Sequence, residues 1–176
     1  MSIGATVERL VSARLALEPL RVSHADEMVS VLSHPRLYDW TGGSPPSHSE
    51  LSARYRIQAA GSVVSGEEWF NWIVRTLDTD APIGFVQATV TEWEADVAWV
   101  IGVDHQRRGF AVEAANAMVG WLNAHGVECF VAHIHPGHLE SQGVAAAIGL
   151  SPTGEMDGEG EEIWCRPLPS VSEAAS

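Results

Sequence analysis

Residues 96–122 read DVAWVIGVDHQRRGFAVEAANAMVGWL, and this stretch decides the fold. Its first part, residues 97–103, is an apolar run with the length and composition of a strand. A polar turn, residues 104–109, follows, and apolar residues then recur at three- and four-residue spacing from Val112 to Leu122, which predicts an amphipathic helix. This order directs the free N–H groups of the first helical turn toward the loop, where they can bind an anion.

The turn lacks the two common phosphate-binding sequences. GxGxxG, typical of Rossmann dinucleotide sites, is missing because Gly109 is the only glycine in the turn. GxxxxGK[ST] is excluded because the chain has no lysine. The turn does contain Gln-x-x-Gly-x-Ala, at Gln106, Gly109 and Ala111, in which the glycine lets the backbone approach a ligand. For this stretch alone, an ordinary strand-to-helix turn with a chance glycine is the alternative.

This hexapeptide resembles the acetyl-CoA pyrophosphate loop, Q/R-x-x-G-x-G/A, of the GNAT N-acetyltransferases. Two further blocks are similar to the RimJ/RimL-like branch of that family. Residues 8–28, ERLVSARLALEPLRVSHADEM, resemble its opening "TERLxLRPLxxxDA" in a looser form with a few extra residues. Residues 138–150 resemble "N-x-x-S-x-x-v-x-x-k-l-G-F", with Ser141 and Gly149 in place and the asparagine replaced by His138.

The resemblance implies the GNAT fold, an α/β (α+β) arrangement with a mixed, mostly antiparallel sheet flanked by helices. Its two central parallel strands splay, and the pantetheine arm of acetyl-CoA pairs with one of them, here at residues 100–103. A strand at residues 129–135 after the central helix independently predicts a right-handed crossover between parallel strands. We expect one domain over residues 1–168 and a flexible polar tail over residues 169–176.

Acetyl-CoA is therefore the expected co-substrate. No metal is expected: His133, His135 and His138 form a histidine-rich run, but they lack a fuller ligand set and the aspartate of the HxHxDH pattern. The residues that the resemblance assigns to acetyl-CoA come from the central strand, the turn and the start of the following helices: Val100, Ile101, Gly102, Val103, Arg107, Arg108, Gly109, Phe110, Ala111 and His138.

The resemblance also implies that an amine attacks the acetyl thioester directly and that a base removes its proton. Asp96 heads the central strand, where other family members carry a glutamate used as the base, so Asp96 is the first candidate. Because aspartate is one methylene shorter, a bridging water is expected. Glu92 and Glu94 are the fallback bases, and a plain strand-end turn residue is the alternative reading of Asp96.

Ser141 is the candidate for stabilising or protonating the departing thiolate. Many family members use a tyrosine for this step, but both tyrosines of this chain, Tyr38 and Tyr55, lie in its first third. Helix capping is the alternative role for Ser141.

The acceptor is predicted to be a primary amine of a small molecule or of a protein N-terminus. Tyr38, Asp39 and Trp40 fall in the region that covers the acceptor groove in the family, and an acid with two aromatics suits a cationic amine. A loop anchor packed on the core is the alternative for Trp40. The acidic run at residues 155–162 either attracts a cationic acceptor or is only a solvated loop.

Composition supplies the remaining expectations. The chain has 10 Lys+Arg against 23 Asp+Glu and a formal charge of -13, which argues against nucleic acid as a partner. No apolar run approaches the ~20 residues of a membrane helix and the N-terminus is not a signal peptide, so we expect a cytoplasmic protein without a membrane partner. A homodimer is possible because dimers are common in the family. A non-catalytic acyl-CoA-binding module of the same fold is the alternative to an enzyme.

Overall fold

The computed structural model describes residues 3–166, which contain eight strands and four helices. The strands are β1 Leu10–Val11, β2 Leu15–Pro19, β3 Glu67–Thr76, β4 Pro82–Thr91, β5 Glu94–Ile101, β6 Cys129–Ile134, β7 Ser151–Met156 and β8 Glu162–Cys165. The helices are α1 Ala25–Val31, α2 His48–Ala60, α3 Phe110–Ala124 and α4 Leu139–Ala147, and short 3-10 turns occur at Val22–His24, Pro35–Tyr38 and Val103–His105.

These strands form one sheet in the order β1-β2-β3-β4-β5-β6-β8-β7. Neighbouring strands are antiparallel except β5 and β6, which run parallel on either side of α3 in the chain. The predicted mixed, mostly antiparallel sheet with a central parallel pair is therefore confirmed. Within residues 3–166, none of the helices combines the length and the apolar character needed to cross a bilayer.

The two parallel strands pair over only three residues. Glu94, Ala95 and Asp96 of β5 oppose residues 129–131 of β6, and no further bridge joins the two strands. Beyond Asp96, β5 stays paired with β4 as far as Ile101, and β6 stays paired with β8. The sheet therefore opens between β5 and β6 as a wedge, and the predicted splay is confirmed.

Helices cover both faces of the sheet. On one face, Met118 and Leu122 of α3 pack in a large buried cluster that also takes Val97 from β5 and Phe130 from β6. On the other face, α1 and α2 build a smaller buried cluster, against which Val100 packs. Because side chains alternate along a strand, Asp96, Ala98 and Val100 share the face that turns toward α1 and α2.

The ends of the first two helices show where local sequence signals succeed and fail. The sequence predicts a second helix that is capped by Ser47 or Ser49 and ends at Gly61. Ser47 is the cap of α2, in a capping box with Glu50, and Gly61 ends the helix.

A serine ahead of the apolar pattern at residues 28–32 predicts Ser23 as the cap of the first helix. This prediction is wrong, because Ser23 lies inside the 3-10 turn that precedes α1. The side chain of His24 organises that turn instead, since its Nδ1 accepts the N–H of Arg21 at 3.0 Å.

Two other sequence predictions concern element bounds. The sequence predicts a turn at residues 92–95 and a central strand headed by Asp96. The turn is shorter, since β5 already begins at Glu94 and pairs there with Thr91 of β4, and Asp96 is the third residue of the strand. The tail expected at residues 169–176, and the first two and last two positions of the domain expected at residues 1–168, lie outside the described residues.

One buried arginine ties α1 to the sheet. Arg75 of β3 is only 8% exposed, and its guanidinium binds Glu18 of β2 at 3.1 Å, the carbonyl of Asp80 at 2.6 Å, and the carboxylate of Glu27 on α1. Burial alone would raise the pKa of Glu18, but the charge and hydrogen bond of Arg75, with help from Arg21, leave it below its ordinary value. Carboxylates enclosed in this way destabilise the fold when the positive charge that compensates them is removed.

Replacing Arg75 with leucine should lower the free energy of unfolding at pH 7 by about 3 kcal/mol, because two partly enclosed carboxylates lose their counter-charge. Urea unfolding followed by tryptophan fluorescence measures this change. The depressed pKa of Glu18 stabilises the fold above the ordinary glutamate value of 4.5, and this contribution is lost as the pH falls through the folded pKa. The deficit of the variant should therefore shrink in acid.

Arg56→Leu on the exposed face of α2 is the matched control for this substitution. The free energy of unfolding of this control should stay within about 0.5 kcal/mol of the wild-type value, as is usual for surface substitutions. A deficit for Arg75→Leu as small as that of the control would show that the ion pairs contribute nothing to stability.

Candidate active site

A cavity of about 1090 Å³ occupies the wedge between β5 and β6. Its volume is at the upper end of the range for small-molecule sites, which suits an extended ligand. The loop before α2, the second half of β5, the turn before α3 and the start of α4 form its wall. The predicted site residues that line it are Tyr38, Asp39, Trp40, Val100, Ile101, Arg107, Gly109, Phe110, Ala111, His138 and Ser141.

Four predicted site residues lie beside the cavity without lining it: Asp96, Gly102, Val103 and Arg108. The N–H of Gly102 donates to the carbonyl of Ile83 at 2.7 Å, so it is engaged within the fold. Asp96 sits at the closed end of the wedge, where it still pairs with β6.

The turn before α3 leaves a helix N-terminus open to the cavity. Gly109 caps α3 in the left-handed region, with φ 77° and ψ 8°, and because glycine has no side chain, this cap makes no side-chain bond to the first helical N–H groups. Gln106 fixes the start of the turn, because its Nε2 donates to the carbonyl of Ile101 at 2.9 Å. Phe110 and Ala111, the first two helical residues, line the cavity. Their N–H groups and the helix dipole are therefore placed to receive an anionic group.

Arg14, in the turn between β1 and β2, supports this loop from outside the cavity. Its Nε binds Glu113 of α3 at 2.7 Å, and its Nη1 donates to the carbonyl of Arg108 at 2.9 Å. The guanidinium also lies 4.5 Å from the centre of the Phe110 ring. Burial works against the charge of Glu113, but bonds from Ser12 and Arg14 leave its pKa lowered, so it remains the ionised partner of Arg14.

Trp40 lies across the mouth of the cavity. Its ring is centred 5.1 Å from that of His135 and 5.8 Å from that of His138, nearly parallel to the latter. Gly137 makes this possible, since a Cβ at that position would lie 2.6 Å from the indole. Trp40 remains 40% exposed, so it bridges two walls of the cavity and does not belong to the buried clusters. Burial lowers the pKa of His138, which favours its neutral form.

The other predicted residues have distinct environments. Tyr38 donates its hydroxyl to the carbonyl of Leu32 at 2.9 Å, and burial raises its pKa. Ser141 lies in the first turn of α4 but does not cap it, because the cap position is His138. Glu92 and Glu94, the fallback bases, are exposed at the turn that joins β4 and β5.

Asp96 faces a histidine that sequence reasoning did not include in the catalytic set. Its Oδ2 lies 3.8 Å from Nε2 of His133 on β6, and the Asp96 side chain is 55% exposed. Partial burial in the wedge raises the pKa of Asp96; His133 opposes this effect and Glu94 adds to it. His133 lines the cavity, unlike Asp96.

Two polar groups in the cavity wall lack protein partners. Among residues 3–166, four buried side-chain polar atoms make no hydrogen bond, and two of them, Trp99 Nε1 and His105 Nδ1, belong to residues that line the cavity. Buried polar atoms are normally paired, so these two fit a wall that a polar ligand completes. In the same part of the chain, no group of three or more His, Cys, Asp or Glu side chains is arranged to hold a metal ion.

The match with a family model decides the identity of this fold. A model of the acetyltransferase (GNAT) domain matches residues 14–151. The chain belongs to the GNAT acetyltransferase family. Its predicted membership and its assignment as an acyltransferase are thereby confirmed, while a comparison with curated proteins finds no significant match.

Solved structures share the fold of this GNAT protein. A GNAT-family acetyltransferase from Bacillus anthracis has a TM-score of 0.77 at 14% identity, over 92% of this chain and 98% of that one. RimL, a ribosomal L7/L12 α-N-protein acetyltransferase in complex with coenzyme A, has a TM-score of 0.76 at 15% identity, over 92% and 98% of the two chains. MccE, a microcin C7 self-immunity acetyltransferase in complex with acetyl-CoA and AMP, has a TM-score of 0.75 at 13% identity, over 89% and 94%.

Sequence reasoning missed three contributors to the site of this GNAT protein. Gln106 was visible in the loop motif but was not assigned to the site, although it fixes the turn. Arg14 and His133 carry no local signal for their roles, because their partners lie far away in the chain or on another strand. His133 did stand out, as part of a histidine-rich run, which is the only sequence feature that points to it.

Replacing Arg14 with alanine should weaken the binding of acetyl-CoA, the expected co-substrate, by about tenfold, because the loop before α3 loses two hydrogen bonds and a cation–π contact. Calorimetric titration measures the dissociation constant. Arg56→Ala, which changes an exposed arginine of α2, is the control and should bind as the wild type does. Equal affinity in Arg14→Ala would mean that the loop holds its shape without this support.

Replacing Asp96 with asparagine should raise the midpoint of thermal unfolding at pH 7. The raised folded pKa means that Asp96 supports the fold only below its unfolded pKa, and that this support is lost as the pH rises through the folded pKa. Differential scanning calorimetry should therefore show a gain at pH 7 and none near pH 3. Glu92→Gln, at the neighbouring exposed turn, should change neither midpoint. A lower midpoint for Asp96→Asn at pH 7 would contradict the assignment of a desolvated carboxylate.

Proposed function

We propose that this protein is an acetyl-CoA-dependent N-acetyltransferase that transfers an acetyl group to a primary amine of a small molecule or a protein N-terminus. The observation that carries the proposal is the wedge between β5 and β6, which opens beside an uncapped helix N-terminus. One cavity thus offers a strand edge without a partner and an anion site.

The wall of the cavity has groups that suit each part of acetyl-CoA. The pyrophosphate is placed at the N–H groups of Phe110 and Ala111, because a helix N-terminus with a left-handed glycine cap favours phosphate. The sequence predicts that the pantetheine arm pairs with residues 100–103, but β5 ends at Ile101 and the N–H of Gly102 is engaged by Ile83. We therefore propose that the arm lies along β5 between Asp96 and Ile101, where no β6 residue of the described chain pairs beyond Asp96. The unpaired Trp99 and His105 nitrogens are further donors or acceptors for that arm.

The proposed chemistry takes place where the two strands part. The acceptor nitrogen must lose a proton before it attacks the thioester carbon, and Asp96 is proposed to hold the ammonium and draw its proton away, directly or through a water. Ser141, across the cavity on α4, is proposed to stabilise or protonate the departing thiolate. A main-chain N–H of β5 is the proposed donor to the carbonyl oxygen.

The acceptor is proposed to enter beside Tyr38, Asp39 and Trp40, which line the cavity at the side of the loop before α2. One structural neighbour is named as an α-N-protein acetyltransferase of a ribosomal protein, which supports a peptide N-terminus as one class of acceptor. We also propose that the chain falls in the RimJ/RimL-like branch, acts in the cytoplasm and is compatible with a homodimer.

Calorimetric titration tests the proposed co-substrate. Acetyl-CoA should bind with a micromolar dissociation constant, whereas ATP and zinc chloride should give no signal. Gly109→Ala should bind at least about tenfold more weakly, because a Cβ is strained at φ +77° and the loop loses its shape. Gly120→Ala is the matched control, since a Cβ there meets nothing within 4 Å.

Thiol release with a panel of primary amines and short peptides then tests transfer. Turnover with at least one acceptor supports the proposal. Binding of acetyl-CoA without release of thiol from any acceptor would identify a non-catalytic acyl-CoA-binding module, and absence of binding would reject the co-substrate itself.

A further inference from the structure

Asp157, in the turn between β7 and β8, is held in one orientation by its own turn. Its Oδ1 accepts the N–H groups of Glu159 at 2.8 Å and Glu161 at 2.9 Å, and its N–H donates to the carbonyl of Glu161 at 2.8 Å. The bond from the Glu161 N–H, those from Glu159 and His133, and the charge of His133 lower the pKa of Asp157. The carboxylate is therefore a fixed, ionised acceptor.

This carboxylate orients the imidazole of His133. Nδ1 of His133 lies 2.8 Å from Oδ2 of Asp157. Because an ionised carboxylate can only accept, Nδ1 carries the proton of that bond, and in the neutral ring the lone pair is on Nε2. Nε2 is the atom that faces Asp96, at 3.8 Å.

The register of the strands places His133 nearer the open part of the wedge than Asp96. Asp96 pairs with Val131 at the last bridge between β5 and β6, and His133 lies two residues further along β6 on the same face. His133 lines the cavity and is 32% exposed, whereas Asp96 lies at the closed end outside the lining. An acceptor in the cavity therefore meets His133 first.

We propose that His133, oriented by Asp157, takes the proton from the acceptor amine, and that Asp96 positions the ammonium in front of it. This inference rests on the proposed acetyl transfer. It moves the role of the base from Asp96, to which the proposed function gives it, to His133, and it leaves Asp96 a positioning role. Asp157 acts through His133 and is likewise a positioning residue.

An acceptor that enters as an ammonium ion loses two protons from its nitrogen during the transfer. One N–H proton moves to Nε2 of His133, and the nitrogen lone pair forms the N–C bond to the acetyl carbon. The C–S bond breaks with its electron pair on sulfur, and the second proton lost by nitrogen neutralises the thiolate. His133 then releases its proton to water. The products are the acetamide, the CoA thiol and one proton.

The charges around His133 favour this direction of transfer. Asp96 faces the imidazole from β5, Asp157 and Glu161 face it from the turn between β7 and β8, and His135 follows the end of β6. Partial burial raises the pKa of Glu161, and Asp157 adds to that shift. An imidazolium formed between Asp96 and Asp157 is stabilised by both carboxylates.

A purely structural role is the competing explanation, because the bond between His133 and Asp157 also ties the last hairpin to β6. Three variants separate the two roles: His133→Gln, His133→Ala and Asp157→Asn. His48→Gln is the matched control, since His48 forms a similar contact with Asp26 at 2.6 Å on the surface and does not line the cavity.

Turnover is measured with an amine that the wild type acetylates. His133→Gln should lose at least about 100-fold in kcat, the usual contribution of a general base, and Asp157→Asn about tenfold, while the dissociation constant of acetyl-CoA stays within about twofold. Added imidazole should raise the turnover of His133→Ala and leave the turnover of the control unchanged. A higher pH, which supplies neutral amine without the help of a base, should raise the turnover of His133→Gln more steeply than that of the wild type.

The outcomes distinguish this inference from the proposed function. Turnover of His133→Gln within about threefold of the wild type would overturn the role of His133 and leave acetyl transfer intact. Lost turnover without imidazole rescue, together with a lower unfolding midpoint and an unchanged pH profile, would identify a structural latch and also overturn it. A wild type that binds acetyl-CoA but acetylates no amine would overturn the proposed function, and this inference with it.

Discussion

The early parting of β5 and β6 is the constraint on which the rest of the structure depends. A parallel pair would normally continue along both strands, because each buried N–H and C=O needs a partner. Here the pairing stops after Asp96, and the strands remain ordered because β4 and β8 hold their outer edges. The helices on the two faces of the sheet pack against β5 from both sides, so the wedge stays open without loss of a core.

Everything assigned to the site follows from that opening. The turn that leaves β5 starts α3 beside the wedge, so the first N–H groups of the helix lie next to a strand edge that has no strand partner within residues 3–166. The loop before α2 and the turn before α4 meet across its mouth through Trp40. At its closed end the two strands are still close enough to bring a carboxylate and an imidazole within 4 Å of each other. The carboxylate and the imidazole owe their positions to strand register, whereas the helix start and the Trp40 contact also depend on loop residues.

Features with local causes could be predicted from the sequence. The strand, turn and helix around Gly109 follow from periodicity and one glycine, and the ends of α2 follow from Ser47, Glu50 and Gly61. The first helix was mispredicted at Ser23 because a histidine side chain, which is not a usual cap, bonds to the preceding backbone. The identity of the co-substrate came from family resemblance, since composition alone offers no signal for acetyl-CoA.

Features with distant causes could not be predicted. Glu113 supports the loop only because Arg14 reaches it from a turn 99 residues earlier, and His133 is oriented by an aspartate that the last hairpin brings to it. No spacing in the sequence predicts either pair of residues, because both contacts depend on how the edges of the sheet are arranged. The sequence singles out Asp96 by its place near the start of a strand. That Asp96 lies outside the cavity lining follows from the register between β5 and β6, which the sequence does not reveal.

Because the wedge is open, the backbone amides of the sheet are unevenly protected from hydrogen exchange with water. Along β5 beyond Asp96, successive N–H groups point alternately toward β4, where a strand receives them, and toward the gap. Amide hydrogens on the β4 side exchange only when the sheet opens, whereas those on the gap side are in contact with water. Exchange rates along this strand therefore alternate with a period of two residues. A ligand lying along the gap erases that alternation, and the centre of the sheet becomes its most protected part only when the site is filled.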